Sequence, residues 1–143
     1  ALAREGIRFF FHPHGDEFVP HGAGRTLFDL LAEKTDPKLV CFEIDIFWAV
    51  HAGQDPVKLM QKHPGRWHLM HVKDMRAGTE TGTFSGRTDK RNDVAVGTGI
   101  VDIAAALREG QRQGVKHYFI EDESADPVGQ IPQSLRFLEA VAW

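Results

Sequence analysis

Four short apolar runs, the first three about 30 residues apart and the fourth about 50 further on, each ending in a histidine or an acid, constrain this chain more than any other feature. Ile7-Arg8-Phe9-Phe10-Phe11 leads into His12-Pro13-His14-Gly15-Asp16-Glu17, and Leu39-Val40-Cys41-Phe42-Glu43-Ile44 leads into Asp45. Trp67-His68-Leu69-Met70 leads into His71-Val72-Lys73-Asp74, and His117-Tyr118-Phe119-Ile120 into Glu121-Asp122-Glu123. Such a run reads as a buried strand whose last residues emerge at a polar mouth, where an imidazole or a carboxylate can meet a ligand. Strands are expected near residues 7–12, 39–45, 67–73 and 115–121.

Helical patterns fill the intervals. Thr26 with Asp29 three residues on predicts a capping box, Leu27, Phe28, Leu30 and Leu31 an apolar face, and Asp36-Pro37 a stop. Residues 46–54 read as a loop, after which Asp55-Pro56 supplies an N-cap and a proline at N1 for a short helix carrying Val57, Leu59 and Met60. The roughly 25 residues from Met75 to Gly99 lack apolar periodicity and read as a lid or a disordered excursion, with Gly97-Thr98-Gly99 as a turn. Ile100 to Gln113, with Ile103, Ala104 and Leu107 on one face, is a helix closed by Gly114, and Asp126-Pro127 opens a last one with Ile131, Leu135, Leu138 and Val141 at helical spacing.

Strands alternating with helices in the order βαβαβαβα argue for parallel βα units, and four of them make half of an eight-stranded barrel. The fold class is therefore α/β, a (β/α)4 half of a TIM barrel with parallel strands and outer helices, spanning residues 1–143 as one domain. An open flavodoxin-like sheet is the rival, but it has no need of an acid or a histidine at every strand end. A half barrel alone leaves two strand edges and an apolar inner face in water, so a partner is expected: a second copy, giving a homodimer, or a missing N-terminal half-barrel.

Composition excludes several classes. A 143-residue chain that is 42% hydrophobic with a net charge of -3 is neither disordered nor basic enough to follow a nucleic-acid backbone. Its single cysteine, Cys41, sits in an apolar strand and reads as a core residue. No run of residues suits a membrane span or a signal peptide, which points to the cytoplasm. Ala1-Leu2-Ala3-Arg4-Glu5-Gly6 reads as the tail of a helix closed by glycine, an opening that suggests removed upstream sequence and leaves an exported form open.

In order along the chain, Phe11-His12-Pro13-His14-Gly15-Asp16-Glu17-Phe18, Phe42-Glu43-Ile44-Asp45-Ile46-Phe47-Trp48, Ala52-Gly53-Gln54-Asp55-Pro56, His71-Val72-Lys73-Asp74, Val96-Gly97-Thr98-Gly99 and Phe119-Ile120-Glu121 resemble the C-terminal half of the sugar phosphate isomerase/epimerase superfamily, the xylose-isomerase-like TIM barrels. The resemblance implies one divalent metal, commonly Mn2+, held by acids and a histidine from successive strands. On that basis Asp45, His71 and Glu121 are carried over as ligands, with Glu17 favoured as the fourth and His12 or His14 as substitutes. Three carboxylates and an imidazole suit Mn2+ or Mg2+ and tolerate Co2+ or Zn2+.

The resemblance further implies a sugar or cyclitol substrate and an enediolate route to epimerisation, or to dehydration or elimination. Glu121 is the candidate base and Glu17 or a histidine of the first strand the opposing group, while Trp48, Lys73 and His14 are candidate substrate contacts. The bland readings stand beside these. Asp45 can cap a loop, Glu43 can point away from the mouth in an ion pair, Lys73 and Asp74 can pair with each other, His68 and His117 can be structural, and His51 and His63 solvated. The alternative to an enzyme is a non-catalytic half barrel that associates with itself; a subunit whose missing half carries the pocket is the third reading.

Overall fold

A computed structural model describes residues 1–143. The strands β1 (Phe9–Phe11), β2 (Val40–Asp45), β3 (Trp67–Val72), β4 (Asp74–Met75), β5 (Asp93–Val94) and β6 (His117–Ile120) form two sheets. The larger has the order β1-β2-β3-β6, with every neighbouring pair parallel; β4 and β5 make a small antiparallel ribbon. Parallel neighbours need crossovers, and α1 (Leu27–Lys34), α3 (Pro56–Lys62) and α4 (Ile103–Gln113) supply them. The architecture is the (β/α)4 half barrel expected from the alternation. The register sets Asp45 opposite His71 and His71 opposite Phe119, so the strand ends share one rim.

The strands are shorter than their apolar runs, most of all β1, where Ile7 and Arg8 precede the ladder as exposed residues. The caps follow their residues closely. The Thr26 hydroxyl accepts from the Asp29 N–H while the Asp29 carboxylate accepts from the Thr26 N–H, and Asp55 caps α3 ahead of Pro56. Gly6 closes a 3-10 turn over Leu2–Glu5 in the left-handed conformation.

Two segments depart from the sequence expectation. Ile46 to His51, expected as loop, is the helix α2, started directly by Asp45, whose Oδ1 accepts from the Trp48 N–H at 3.0 Å. Five of its six residues are buried, so it has no polar face and no 3.6-residue contrast to read. The 75–99 stretch is neither excursion nor featureless loop, because the buried Asp74 carboxylate organises it. Oδ1 accepts from Met75 N (2.8 Å) and Val101 N (3.1 Å), and Oδ2 from Gly97 N (2.9 Å) and Gly99 N (2.8 Å). Gly99 has to be glycine for this approach, since a Cβ there would lie 2.3 Å from the Met75 carbonyl oxygen and 2.4 Å from Asp74 Oδ1. Asp74 is thus spent on backbone and makes no pair with Lys73. The following chain is drawn in so far that α4 begins at Ile103, capped by Asp102, and not at Ile100.

The core lies between the outer face of the sheet and the helices. Phe42, Ile44, Met70 and Val72 meet Phe28, Leu59, Met60, Ile103, Ala106 and Leu107, with Trp67 stacked on Phe28 at 5.4 Å. Leu27 turns outward, and Phe28, Asp29 and Ala32 carry the buried face of α1. On α5 (Pro127–Ala140) only Ser134 is fully buried; Phe137, Leu138 and, just past its end, Val141 pack partly on the core, whereas Ile131 and Leu135 stay exposed. The sheet's opposite face carries Phe119 at 46% exposure, and β1 and β6 are open edges. No helix is long and apolar enough to cross a membrane.

Candidate functional site

The C-terminal ends of the strands bring three buried atoms together. His12 follows β1, Asp45 ends β2 and His71 lies in β3, and one donor atom from each falls within 4.8 Å of the others. His12 Nε2 is 3.6 Å and His71 Nδ1 3.5 Å from Asp45 Oδ2. None of these contacts is a hydrogen bond, and all three atoms are buried without any hydrogen-bond partner. Buried polar atoms are nearly always satisfied, so a convergent group of three unsatisfied ones fits a cation site made of two imidazoles and one carboxylate.

The electrostatics agree. Burial alone would raise the Asp45 carboxyl, but His12, His71 and the Trp48 N–H outweigh it and hold the group well below the usual carboxylate range. Burial likewise opposes a charged His71, yet Asp45 and Glu121 push the imidazole up to about 10. His71 also faces Glu43, whose Oε1 is 3.2 Å from His71 Nε2. Strand alternation puts Glu43 on the same face as Asp45, one layer deeper, so it is ion-paired but not turned away.

Glu121 borders the trio, its Oε2 3.2 Å from His71 Nδ1 and 3.5 Å from Lys73 Nζ. The contact with His71 lowers its pKa against the opposing effect of burial. Glu17 lies outside the trio: its Oε2 accepts from the His14 N–H at 2.9 Å, because Gly15 turns the chain into the short helix Asp16–Phe18, whose buried Phe18 anchors it. The first strand's member of the group is therefore His12, one of the two residues named as substitutes.

Lys73 is 1% exposed and sits in an acidic cage, its ammonium touching Glu123 and lying 3.4 Å from Asp93 Oδ2 as well as near Glu121. Burial opposes its charge, but Glu123, Asp45 and Asp93 prevail and raise its pKa. Burial raises Asp93 to about 6 although Lys73 faces it. The ammonium also lies 5.2 Å from the centre of the Phe47 ring and 5.8 Å from that of Trp48. A cavity of about 310 Å³ opens here, lined by His14, Trp48 and Lys73, the three candidate substrate contacts, and also by Arg87, Lys90 and Glu123.

Arg87 and Lys90 escaped the sequence reading because nothing in a polar, aperiodic stretch marks which of its cations face inward. His51 and His63 are not solvated: His51 is buried against Phe47 and Trp48, and His63 Nε2 meets Asp29 Oδ1 at 2.9 Å. His68 lies against Arg8, its Nδ1 3.1 Å from the guanidinium.

No family model matches the chain. An inosose dehydratase of Geobacillus thermodenitrificans (strain NG80-2) is 26% identical over 132 residues, covering 87% of this chain and 43% of the relative. Among solved structures, a sugar phosphate isomerase/epimerase from Parabacteroides distasonis ATCC 8503 superposes with a TM-score of 0.77 at 26% identity, over 96% of this chain and 46% of that one. A xylose isomerase domain protein from Planctomyces limnophilus shares the fold with a TM-score of 0.66 at 17% identity, over 97% and 46% of the two chains. The chain thus spans a little under half the length of these proteins. Four parallel βα units, and relatives that match along nearly all of them, make this chain similar to the sugar phosphate isomerase/epimerases, with the fold of about half of a xylose-isomerase-like TIM barrel.

Proposed function

We propose that this half barrel carries the metal-binding rim of an enzyme that moves a proton next to the carbonyl of a sugar or cyclitol. The observation that carries the reading is the convergence of His12 Nε2, Asp45 Oδ2 and His71 Nδ1 as buried atoms without partners at the strand ends. These three would hold a divalent cation, with Glu121 at its border. Two imidazoles in the set shift preference away from Mg2+, so Zn2+ and Co2+ bind more tightly than Mn2+, and Mg2+ most weakly. When bound, the ion supplies Lewis-acid polarisation of the substrate carbonyl.

The protein groups do the rest. Glu121, whose carboxylate faces the buried Lys73 ammonium at 3.5 Å, takes the proton from the carbon beside the carbonyl, and Lys73 orients it. Trp48 and His14, with ring centres 5.5 Å apart, form a wall that keeps water from one side of the substrate. Glu17 acts through His14, whose backbone it holds. Delivery of a proton to the opposite face by a second acid would complete an epimerisation, and departure of the hydroxyl one carbon further on, protonated to leave as water, would complete a dehydration, the activity named for the Geobacillus relative.

Calorimetric titration with Mn2+ and Zn2+ tests the centre: one site per chain is expected, abolished by Asp45→Ala or His71→Ala and weakened by His12→Ala. Wild-type chain that binds neither metal overturns the reading. Glu121→Gln is expected to keep metal affinity and to lose metal-dependent C–H exchange of keto-sugars or keto-cyclitols in deuterated water, because the amide retains an oxygen and cannot take the proton. The open edges at β1 and β6 and the exposed Phe119 support a further element: the rim works within a closed barrel, completed by a second copy or by another half.

A further inference from the structure

The cavity beside Trp48 is bordered by two cations, Arg87 and Lys90, that the proposed chemistry does not use. Lys73, Arg87 and Lys90 line it together with two carboxylates, Asp93 and Glu123. Both carboxylates are committed to Lys73, and Asp93 Oδ2 also accepts from the Glu123 N–H at 2.7 Å. Asp89, the acid nearest in sequence to the other two cations, is taken by Arg91, whose Nε lies 3.0 Å from Asp89 Oδ1. Arg87 and Lys90 consequently face the cavity with no carboxylate partner.

The segment that carries them is fastened over the cavity. Gly82 N and Thr83 N both donate to the carbonyl of the buried His51, at 2.8 and 3.2 Å. Ser85 rests on the backbone of Gly15 so closely that a Cβ at Gly15 would lie 2.3 Å from the Ser85 carbonyl oxygen. Gly86 lies in ordinary contact with His14, 3.4 Å separating the His14 Cβ from a Cβ built at Gly86. The cavity also opens onto the centre: His14 has its ring 4.4 Å from His12, and Lys73 reaches Glu121.

We propose that this cavity is a subsite for an anionic substituent of the substrate, a carboxylate or a phosphate, which Arg87 and Lys90 hold while the carbonyl end of the same molecule faces His12, Asp45 and His71. The proposal rests on the reading of the rim as a metal-dependent sugar site and narrows its substrates to acidic or phosphorylated sugars and cyclitols. A guanidinium is suited to both anions, which it grips with two parallel N–H donors.

The test is calorimetric titration of the full chain, with and without Mn2+, using gluconate, glucose 6-phosphate and neutral glucose as probes. At least one anion is expected to bind more tightly than glucose, and the choice between gluconate and glucose 6-phosphate identifies the substituent. Arg87→Ala and Lys90→Ala should each weaken that anion about tenfold, leave glucose unchanged, and be partly offset in Arg87→Lys. Glucose binding as well as both anions, or anion affinity unchanged in the double variant, overturns the subsite.

Mn2+ affinity of the double variant should match wild type, since neither cation touches the three donors. Loss of Mn2+ binding in the double variant would assign Arg87 and Lys90 a structural role and overturn the proposal too. A wild-type chain that binds the anion through these residues but never binds metal removes the proposed chemistry and leaves the anion site standing.

Discussion

Asp74 and Asp29 are the residues whose burial most shapes this half barrel, and neither belongs to the metal-binding trio. Four backbone N–H groups converge on Asp74, so Asp74→Ala leaves buried donors without an acceptor and is expected to cost about 3 kcal/mol. The urea midpoint measures this, and a loss under about 1 kcal/mol would show that the 75–101 segment is held by other contacts. Asp29 closes the capping box of α1 and meets Lys62 Nζ at 2.8 Å and His63 Nε2 at 2.9 Å. Burial opposes its charge, but Lys62 and Thr26 outweigh that and lower its pKa from 3.8 to about 2. A depressed carboxylate contributes stability that is complete above its unfolded value and lost as pH falls through its folded one. About 2 kcal/mol should therefore disappear between pH 3.8 and about pH 2, and Asp29→Asn should lack that contribution at neutral pH and show a shallower acid limb.

At the scale of elements, α5 is the weakest attachment. Its single buried side chain, Ser134, accepts from Val96 N at 2.9 Å, and Phe137 covers Gly97. Gly97 has φ 90, and a Cβ there would fall 2.3 Å from the Phe137 ring, so Gly97→Ala should cost about 2 kcal/mol through strain and a displaced ring. Hydrogen exchange is expected to show lost protection across 127–140 with β2 and β3 still protected; an unchanged pattern in α5 would mean that Phe137 does not dock it. The reverse holds for α2, which is buried on all sides and begins at the residue that offers Asp45 Oδ2 to the rim. One side chain both caps a helix through Oδ1 and presents Oδ2 to the trio, which fixes its orientation in a way that a loop could not.

At the scale of the whole molecule, four strands leave the barrel open. Both edges of the sheet are open, and Phe9, Leu39 and Phe119 stand exposed on or beside them. A second copy facing the first would bury these residues and restore a ring of strands, with two-fold symmetry. Light scattering at micromolar concentration is expected to give twice the chain mass of 16.0 kDa, reduced towards one chain by Phe119→Asp. A cooperatively folded monomer would refute the self-association. Such a dimer would place two copies of the trio around one rim, so metal stoichiometry per dimer reports whether both form.

The sequence by itself determined the parallel βα order, the caps at Thr26, Asp55 and Asp126, and the rim residues Asp45, His71 and Glu121, because periodicity, capping chemistry and strand ends are local properties of the chain. Choosing between Glu17 and His12 was beyond it, since that turns on how Gly15 and Phe18 fold the loop back until Glu17 meets the His14 N–H. Nor could it show that Asp74 serves backbone 23 to 27 residues further on, that Lys73 is caged by Asp93 and Glu123, or that Arg87 and Lys90 face a cavity. Those are contacts between residues distant in the chain, and only packing decides which charges end up buried together.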